Sequence, residues 1–361
     1  MKISVLIVMR NEANKIGRTI RHIKKQDYPK GKYEIITIDD NSSDSSAKTA
    51  QKHGAKVISL KKNVWASEGR RIGIKHCRGK VIIFLDAHLY LTNPKNFQII
   101  DKILSRNPSL GGVCGFYKSK NKSDWNQFRD IRREIIFNKQ RKRIISLDNF
   151  TTLSIALAAI RQEVFKKINF PKGFYKSFGE DTYFQLQAHN KGWDFMFIPQ
   201  ITGIHDSPQN ANTIKKKMVY EMRGTANILY NASRERIRVP FLHFFLSYPL
   251  TFIISLVLVW FLPLSVGLFF LALSLILEIS KMSRCLKAKL YPLKIRIGAF
   301  FYSLIKEFWA ILYIPLYILR KNGVSIKQFL SIGSIIIKWE IKKWQRCFSF
   351  SRKFIKKINL I

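Results

Sequence analysis

Acidic side chains are scarce. Only 23 Asp and Glu stand against 63 Lys and Arg, a formal net charge of +40 over 361 residues. Such an excess invites a nucleic-acid partner, yet there is no zinc-finger spacing, no basic region leading into heptads and no aromatic RNA-binding signature, so no nucleic acid is expected. Cysteine is sparse too. Cys77, Cys114, Cys285 and Cys347 lie far apart with no C-x-x-C pair, which argues against a zinc site or a disulfide framework and fits a reducing compartment. Phosphate-binding glycine fingerprints are missing: there is no G-x-x-x-x-G-K-[ST], and no G-x-G-x-x-G follows the first apolar run, which argues against a P-loop or a Rossmann dinucleotide site. Formal charge itself is missing from Val239 to Leu277, a run far longer than a soluble core helix needs, so a membrane protein is expected. No signal peptide precedes the first apolar run, since Met1-Lys2 leads straight into Ile3–Met9, and the amino-terminal domain is expected to face the cytoplasm.

The stretch Val81-Ile82-Ile83-Phe84-Leu85-Asp86-Ala87-His88 organises what is present. Five apolar residues in a row predict a strand buried on both faces. The run ends in a carboxylate, one spacer and an imidazole, and residues two apart on an extended chain point the same way, so Asp86 and His88 can face one ion. A strand end with two solvated polar residues satisfies the same pattern.

Upstream, Ile3–Met9 predicts a first buried strand and Ala13–Lys25 a helix, with Ile16, Ile20 and Ile23 at helical spacing. Strand Ile35–Ile38 is followed by Asp39-Asp40 and by cap chemistry in Asn41-Ser42-Ser43-Asp44 for a helix reaching about Lys52. Lys56–Leu60 predicts a third strand, Trp65–His76 a helix and Val81–Leu85 the fourth strand. The alternation predicts an α/β fold with a doubly wound, mainly parallel sheet that gathers Arg10, Asp40 and Asp86 at one edge.

Three motifs in order then carry a family resemblance. Ser4-Val5-Leu6-Ile7-Val8-Met9-Arg10-Asn11-Glu12, Ile38-Asp39-Asp40-Asn41-Ser42-Ser43-Asp44 and Phe84-Leu85-Asp86-Ala87-His88 resemble the family 2 glycosyltransferases of the inverting GT-A fold. Gly179-Glu180-Asp181 followed by Gly192-Trp193 looks like that family's ED segment, and the Asp-Ala-His form is similar to its succinoglycan-biosynthesis branch. The chain departs from the family at Val8, where proline is frequent, at His88, which replaces a second carboxylate, at Arg71, where asparagine is usual, and at Gln187, where an arginine often stands. It has no Q-x-x-R-W, which argues against a processive synthase.

The resemblance implies roles. Arg10, Glu12, Asp39, Asp40, Arg70 and Asp86 are expected at the nucleotide sugar, with Asp40 on the base or ribose and Asp39 supporting the turn. Asp86, His88 and His205 are expected to hold a divalent metal, Mg²⁺ or Mn²⁺, since a neutral imidazole is a good Mn²⁺ ligand. Asp181 is expected to act as general base on the acceptor hydroxyl, with Glu180 supporting it. Each has a plainer reading: Asp39, Asn41, Ser42 and Asp44 as helix caps, Glu180 and Asp181 as first-turn acids, Arg70 as a solvated arginine and His205 as a structural histidine. The basic segment Asp124–Arg143, with Arg132 and Arg133, is either a solvated face or a contact for a lipid phosphate.

The expected organisation is a GT-A domain over 1–235, with a nucleotide-sugar half at about 1–115 and an acceptor half at about 116–235. Membrane helices follow over 236–320, then a basic amphipathic tail over 321–361. Pro263 divides the uncharged run into Phe241–Leu262 and Leu264–Leu277, a hairpin returning to the cytoplasm beside the basic loop 280–296. Ile297–Leu319, interrupted by Lys306 and Glu307, is expected to be interfacial or re-entrant, giving two crossings; four, using Ile326–Ile337, is the alternative. Basic clusters beside these segments favour anionic membrane lipids. What is expected is a membrane-anchored, cytoplasm-facing enzyme transferring a sugar, most simply from a UDP-sugar, to a polyprenyl-phosphate-type lipid-linked acceptor. The alternatives are a polyprenyl-phosphate glycosyl synthase and a non-catalytic scaffold that binds nucleotide sugar.

Overall fold

The computed structural model describes residues 2–137, 142–147, 150–172, 174, 179–207, 223–232, 234–237, 239, 293–294 and 296–297. The first part alternates as the sequence predicts: β1 (Ile3–Met9), α1 (Ala13–Lys24), β2 (Tyr33–Asp39), α2 (Ser46–Lys52), β3 (Lys56–Ser59), α3 (Trp65–Ile74) and β4 (Val81–Leu85). Beyond it come β5 (Leu89–Leu91), α4 (Asn96–Arg106), β6 (Leu110–Ser119), α5 (Asp124–Phe137), β7 (Arg143–Ile145), β8 (Leu157–Arg161), α6 (Glu180–Asn190) and β9 (Asp194–His205).

All of these strands join one sheet in the order β3-β2-β1-β4-β8-β6-β9-β5, with β7 paired to β9. Alternate residues of β4 feed two cores. Val81, Ile83 and Leu85 pack with Ile16 and Ile20 of α1 and Phe97 and Ile100 of α4, while Ile82 and Phe84 pack with Ile74 of α3 and Phe184 and Ala188 of α6. A strand apolar on both sides is what burial between two helical layers requires.

The expectation of a mainly parallel sheet holds only for β3, β2, β1 and β4. The second half is mixed: β8 is antiparallel to both β4 and β6, β6 is parallel to β9, and β5 and β7 run antiparallel along β9. The reason lies in the connections. Parallel neighbours need a long, usually helical crossover, and past β4 that alternation lapses: Asp86, Ala87 and His88 alone separate β4 from β5, and no described helix lies between β7 and β8.

That short link also bends the sheet. Three strands lie between β4 and β5 in the order, which in a flat sheet puts them about 19 Å apart. The chain from Leu85 to Leu89 reaches at most about 14 Å. The sheet therefore curls, and the end of β9 comes round to the end of β4.

Cys77 and Cys114 are free and buried, and burial pushes both thiols up to about 12, so neither is reactive. Among the described residues no helix is long and apolar enough to cross a membrane. The segments Phe241–Leu262, Leu264–Leu277, Ile297–Leu319 and the tail 321–361 lie almost wholly outside the described residues, as does most of the loop 280–296.

Candidate active site and metal centre

Parallel pairing of Met9 with Asp39 and of Leu6 with Phe84 brings the carboxyl ends of β1, β2 and β4 to one edge. Two turns there carry left-handed asparagines, Asn11 at φ 53° and Asn41 at φ 59°, a conformation asparagine tolerates better than most side chains. Asn11 Oδ1 accepts from the Ser43 amide at 2.9 Å, and the Asn11 amide donates to Ser42 Oγ at 3.0 Å, so each turn shapes the other. Asp44 accepts from the Ala13 amide at 3.1 Å and the Ser46 amide at 2.9 Å, tying the starts of α1 and α2 together. Asp39, buried, accepts from the Ser42 amide at 3.3 Å.

Asp40 is also buried, and its two oxygens accept from the Val64 and Trp65 amides at 2.6 and 2.9 Å. Trp65 sits at φ 69°, strained for so bulky a residue, and Asp40 holds it there. Sequence reasoning offered Asp40 as a base or ribose contact, or Asp39 to Asp44 as caps of the next helix. In the structure Asp40 fastens the start of α3, 24 residues further on, rather than capping the helix that follows it. Arg10 is exposed just past the end of β1.

The predicted metal residues meet. One ligand atom from each of Asp86, His88 and His205 lies within 4.8 Å of the others. His205 ends β9 opposite Leu89 of β5, and its Nε2 lies 3.2 Å from Asp86 Oδ2. The His88 and His205 rings meet edge to face with centroids 4.6 Å apart. The Asp206 amide donates to the His88 carbonyl at 2.8 Å, and buried Thr19 of α1 donates from Oγ1 to the Ala87 carbonyl at 2.7 Å, fixing the turn from both sides.

Glu12, expected at the nucleotide sugar, stands behind the metal residues: its Oε1 lies 2.9 Å from His88 Nδ1. With Nδ1 engaged, His88 keeps Nε2 for another partner. A metal-binding histidine is commonly fixed in this way, through its second nitrogen on a carboxylate. One carboxylate and two imidazoles, one of them held by Glu12, fit a divalent cation of borderline character, better Mn²⁺ than oxygen-seeking Mg²⁺.

Electrostatics follow the geometry. Burial would raise the Asp86 carboxyl, but the His205 hydrogen bond and the nearby His205, His88 and Arg70 charges outweigh it and hold it well below the usual range. Burial lowers His205, which favours the neutral ring that a metal requires, against the pull of Asp86.

The ED pair opens α6. Gly179, its N-cap, lies at φ 105°, and a Cβ there would meet Ile228 Cδ1 at 2.8 Å, so glycine is required. Glu180 Oε1 accepts from Arg70 Nη1 at 2.8 Å, and the Arg70 guanidinium sits 5.5 Å from the Phe170 ring centroid. Arg70 is therefore a buried link and not a solvated arginine. Burial first, then the adjacent Glu180 charge, push Asp181 up to about 7, against the pull of Arg70 and of the Thr182 amide at 2.7 Å.

Tyr117 had no sequence signal, and Arg133 stood out only as part of the basic segment Asp124–Arg143. Tyr117 of β6 stacks on His205, ring centroids 5.4 Å apart, and Arg133 of α5 lies 4.4 Å from the Tyr117 centroid. Arg133 was expected to meet solvent or a lipid phosphate, but Nη1 donates to Asp130 Oδ1 at 2.6 Å and to the Tyr117 carbonyl at 3.2 Å.

The chain is similar to several known proteins. Residues 4–169 match the model of glycosyl transferase family 2. Glycosyltransferase AglE of Haloferax volcanii is 23% identical over 222 residues, covering 60% of this chain and 70% of that protein. A Methanococcus voltae enzyme, named dolichyl N-acetyl-alpha-D-glucosaminyl phosphate 3-beta-D-2,3-diacetamido-2,3-dideoxy-beta-D-glucuronosyltransferase, is 30% identical over 145 residues, which is 37% of this chain and less than half, 43%, of its own length. Among solved structures, mannosyltransferase PcManGT of Pyrobaculum calidifontis, in complex with GDP-Man and Mn²⁺, shares the fold with a TM-score of 0.58 at 14% identity, over 88% of this chain and 87% of that one.

Proposed function

We propose, from the match of residues 4–169 to the model of glycosyl transferase family 2, that the chain moves a sugar, with inversion, from a nucleotide sugar to the hydroxyl of a lipid-linked acceptor at a membrane surface. One observation carries the reading. Asp86, His88 and His205, from a strand end and from the far end of β9, offer ligand atoms within 4.8 Å of one another, while Arg70, whose charge helps hold the Asp86 carboxyl low, donates to Glu180 of the ED pair at 2.8 Å. A donor diphosphate at Asp86 and an acceptor hydroxyl at Asp181 then approach one anomeric carbon from opposite sides.

Asp86, His88 and His205 would hold the cation. When bound, it neutralises the charge developing on the departing nucleoside diphosphate. Asp40 and Asp39 shape the loops along which the nucleotide lies. Asp181, raised to about 7, is a carboxylate basic enough to take the acceptor proton and still ionised above neutral pH. Glu180 accepts from Arg70 and holds it beside the ED pair.

PcManGT, bound to GDP-Man and Mn²⁺, supports a nucleotide-sugar donor and a divalent metal, and leaves both UDP- and GDP-sugars open for this chain. The lipid-linked acceptor in the Methanococcus enzyme's name supports an acceptor of that class. The uncharged run Val239–Leu277 and the basic residues after it support an anchor in anionic lipid, with the catalytic domain on the cytoplasmic side.

The test is nucleoside-diphosphate release from UDP- and GDP-sugars by purified membranes with lipid extract, with and without EDTA, for the wild type, Asp86→Ala and Asp181→Asn. Release that needs lipid, metal and both carboxylates is the expected result. Full activity of Asp181→Asn would instead favour an acceptor that is already an anionic phosphate, and donor binding without release would favour a scaffold.

A further inference from the structure

We propose that Tyr117 and Arg133 are positioning residues for His205, forming a column that fixes the plane of its imidazole for the divalent cation. The inference rests on the metal reading above. His88 has a carboxylate, Glu12, to orient it. His205 has Asp86 in front of Nε2 and the flat face of Tyr117 against its ring, the two planes 28° apart.

Strand register puts the ring there. In the parallel pairing of β6 with β9, Ser119 is opposite His205 and Tyr117 is opposite Gly203. Tyr117 is thus the diagonal neighbour of His205 on the same side of the sheet, within reach of an aromatic side chain. The column is locked beyond the ring as well. Tyr117 Oη and Ser154 Oγ share a hydrogen bond of 2.9 Å, Arg133 covers the Tyr117 ring, and Asp130, which holds Arg133, accepts from the Ser119 amide at 3.2 Å and from Ser119 Oγ at 2.9 Å.

A helix docked for stability alone would not need this arrangement. The Arg133 side chain is 12% exposed, and its Nη2 is buried with no hydrogen-bond partner among the described residues. A leucine would dock α5 without burying an orphan N–H group. The position of the guanidinium over Tyr117 is what a leucine cannot supply.

The experiment uses the full chain in detergent, with Mn²⁺ alone as the probe, and measures its dissociation constant from the electron paramagnetic resonance of free Mn²⁺ alongside a thermal melt. Tyr117→Leu and Arg133→Met are each expected to raise the dissociation constant about tenfold, the usual scale for a residue supporting a metal ligand, while Tyr117→Phe, which keeps the ring, stays close to wild type. Folded variants that bind Mn²⁺ as the wild type does, while Asp86→Ala does not, would sink the column and spare the metal site. A wild type that binds no Mn²⁺ would overturn both. If Tyr117→Leu does not fold, Arg133→Met against Tyr117→Phe decides, and equal affinities of those two overturn the proposal.

Discussion

Arg70 and Glu180, 110 residues apart, meet through a 2.8 Å hydrogen bond that ties α3 to the first turn of α6. Their side chains are 10% and 15% exposed, so the pair is largely shielded from water. Arg70→Met leaves the Glu180 charge buried alone and is expected to cost on the order of 3 kcal/mol in stability, read from denaturant unfolding. Arg70→Lys keeps the charge but loses the planar fork over Phe170, and an intermediate loss is expected. A Met variant as stable as wild type would show that the link does not matter for folding.

Asp181 supplies a pH signature. A base raised to about 7 must be ionised to work, so kcat is expected to rise through an acid limb near pH 7, and Asp181→Asn to lose both the limb and about 10²–10⁴-fold in rate. The stability effect has the opposite sign. A carboxyl raised on folding favours the fold when protonated, a contribution complete below its unfolded value of 3.8 and lost as pH rises through about 7. Asp181→Asn is therefore expected to melt higher than wild type at pH 8, with the gap closing toward pH 4. A gap that does not change with pH would mean that Asp181 is not raised.

Glu12 orients His88 and touches no other predicted metal residue among its described contacts. Glu12→Ala is expected to weaken Mn²⁺ binding about 10–100-fold, with Glu12→Gln in between because its amide oxygen still accepts from Nδ1–H. Calorimetric titration reads this directly, and an unchanged affinity in Glu12→Ala would return Glu12 to a role at the nucleotide.

Asp40 holds two amides at the start of α3. Asp40→Ala is expected to cost about 1–2 kcal/mol, as for lost helix caps, and to raise the donor KM because the loop from Lys61 to Trp65 is no longer held. A raised KM with no loss of stability would instead argue for direct contact with the nucleotide.

The run Val239–Leu277 predicts the partition of the chain. The full chain is expected in the membrane fraction after a carbonate wash, and a version ending at 235 in the supernatant or held only at low salt. Release of the full chain by carbonate would rule out a spanning anchor.

The sequence by itself determined the alternation of the first seven elements, because five consecutive apolar residues in β4 and isoleucines spaced three and four apart in α1 state their burial locally. It also marked out candidates for the chemistry, since Asp86 and His88 lie two apart at a strand end and Asp181 lies in the first turn of α6. Only the tertiary structure decided who meets whom. His205 reaches Asp86 across 119 residues because the short β4 to β5 link forces the sheet to curl, a meeting that the family resemblance implied but that nothing in the spacing along the chain states. Glu12 turned to His88, Asp40 to Trp65 and Arg133 to Tyr117 for the same reason. Each partner is set by strand register and helix docking, which are properties of packing between distant segments, whereas spacing along the chain reports only what a segment does with its own neighbours.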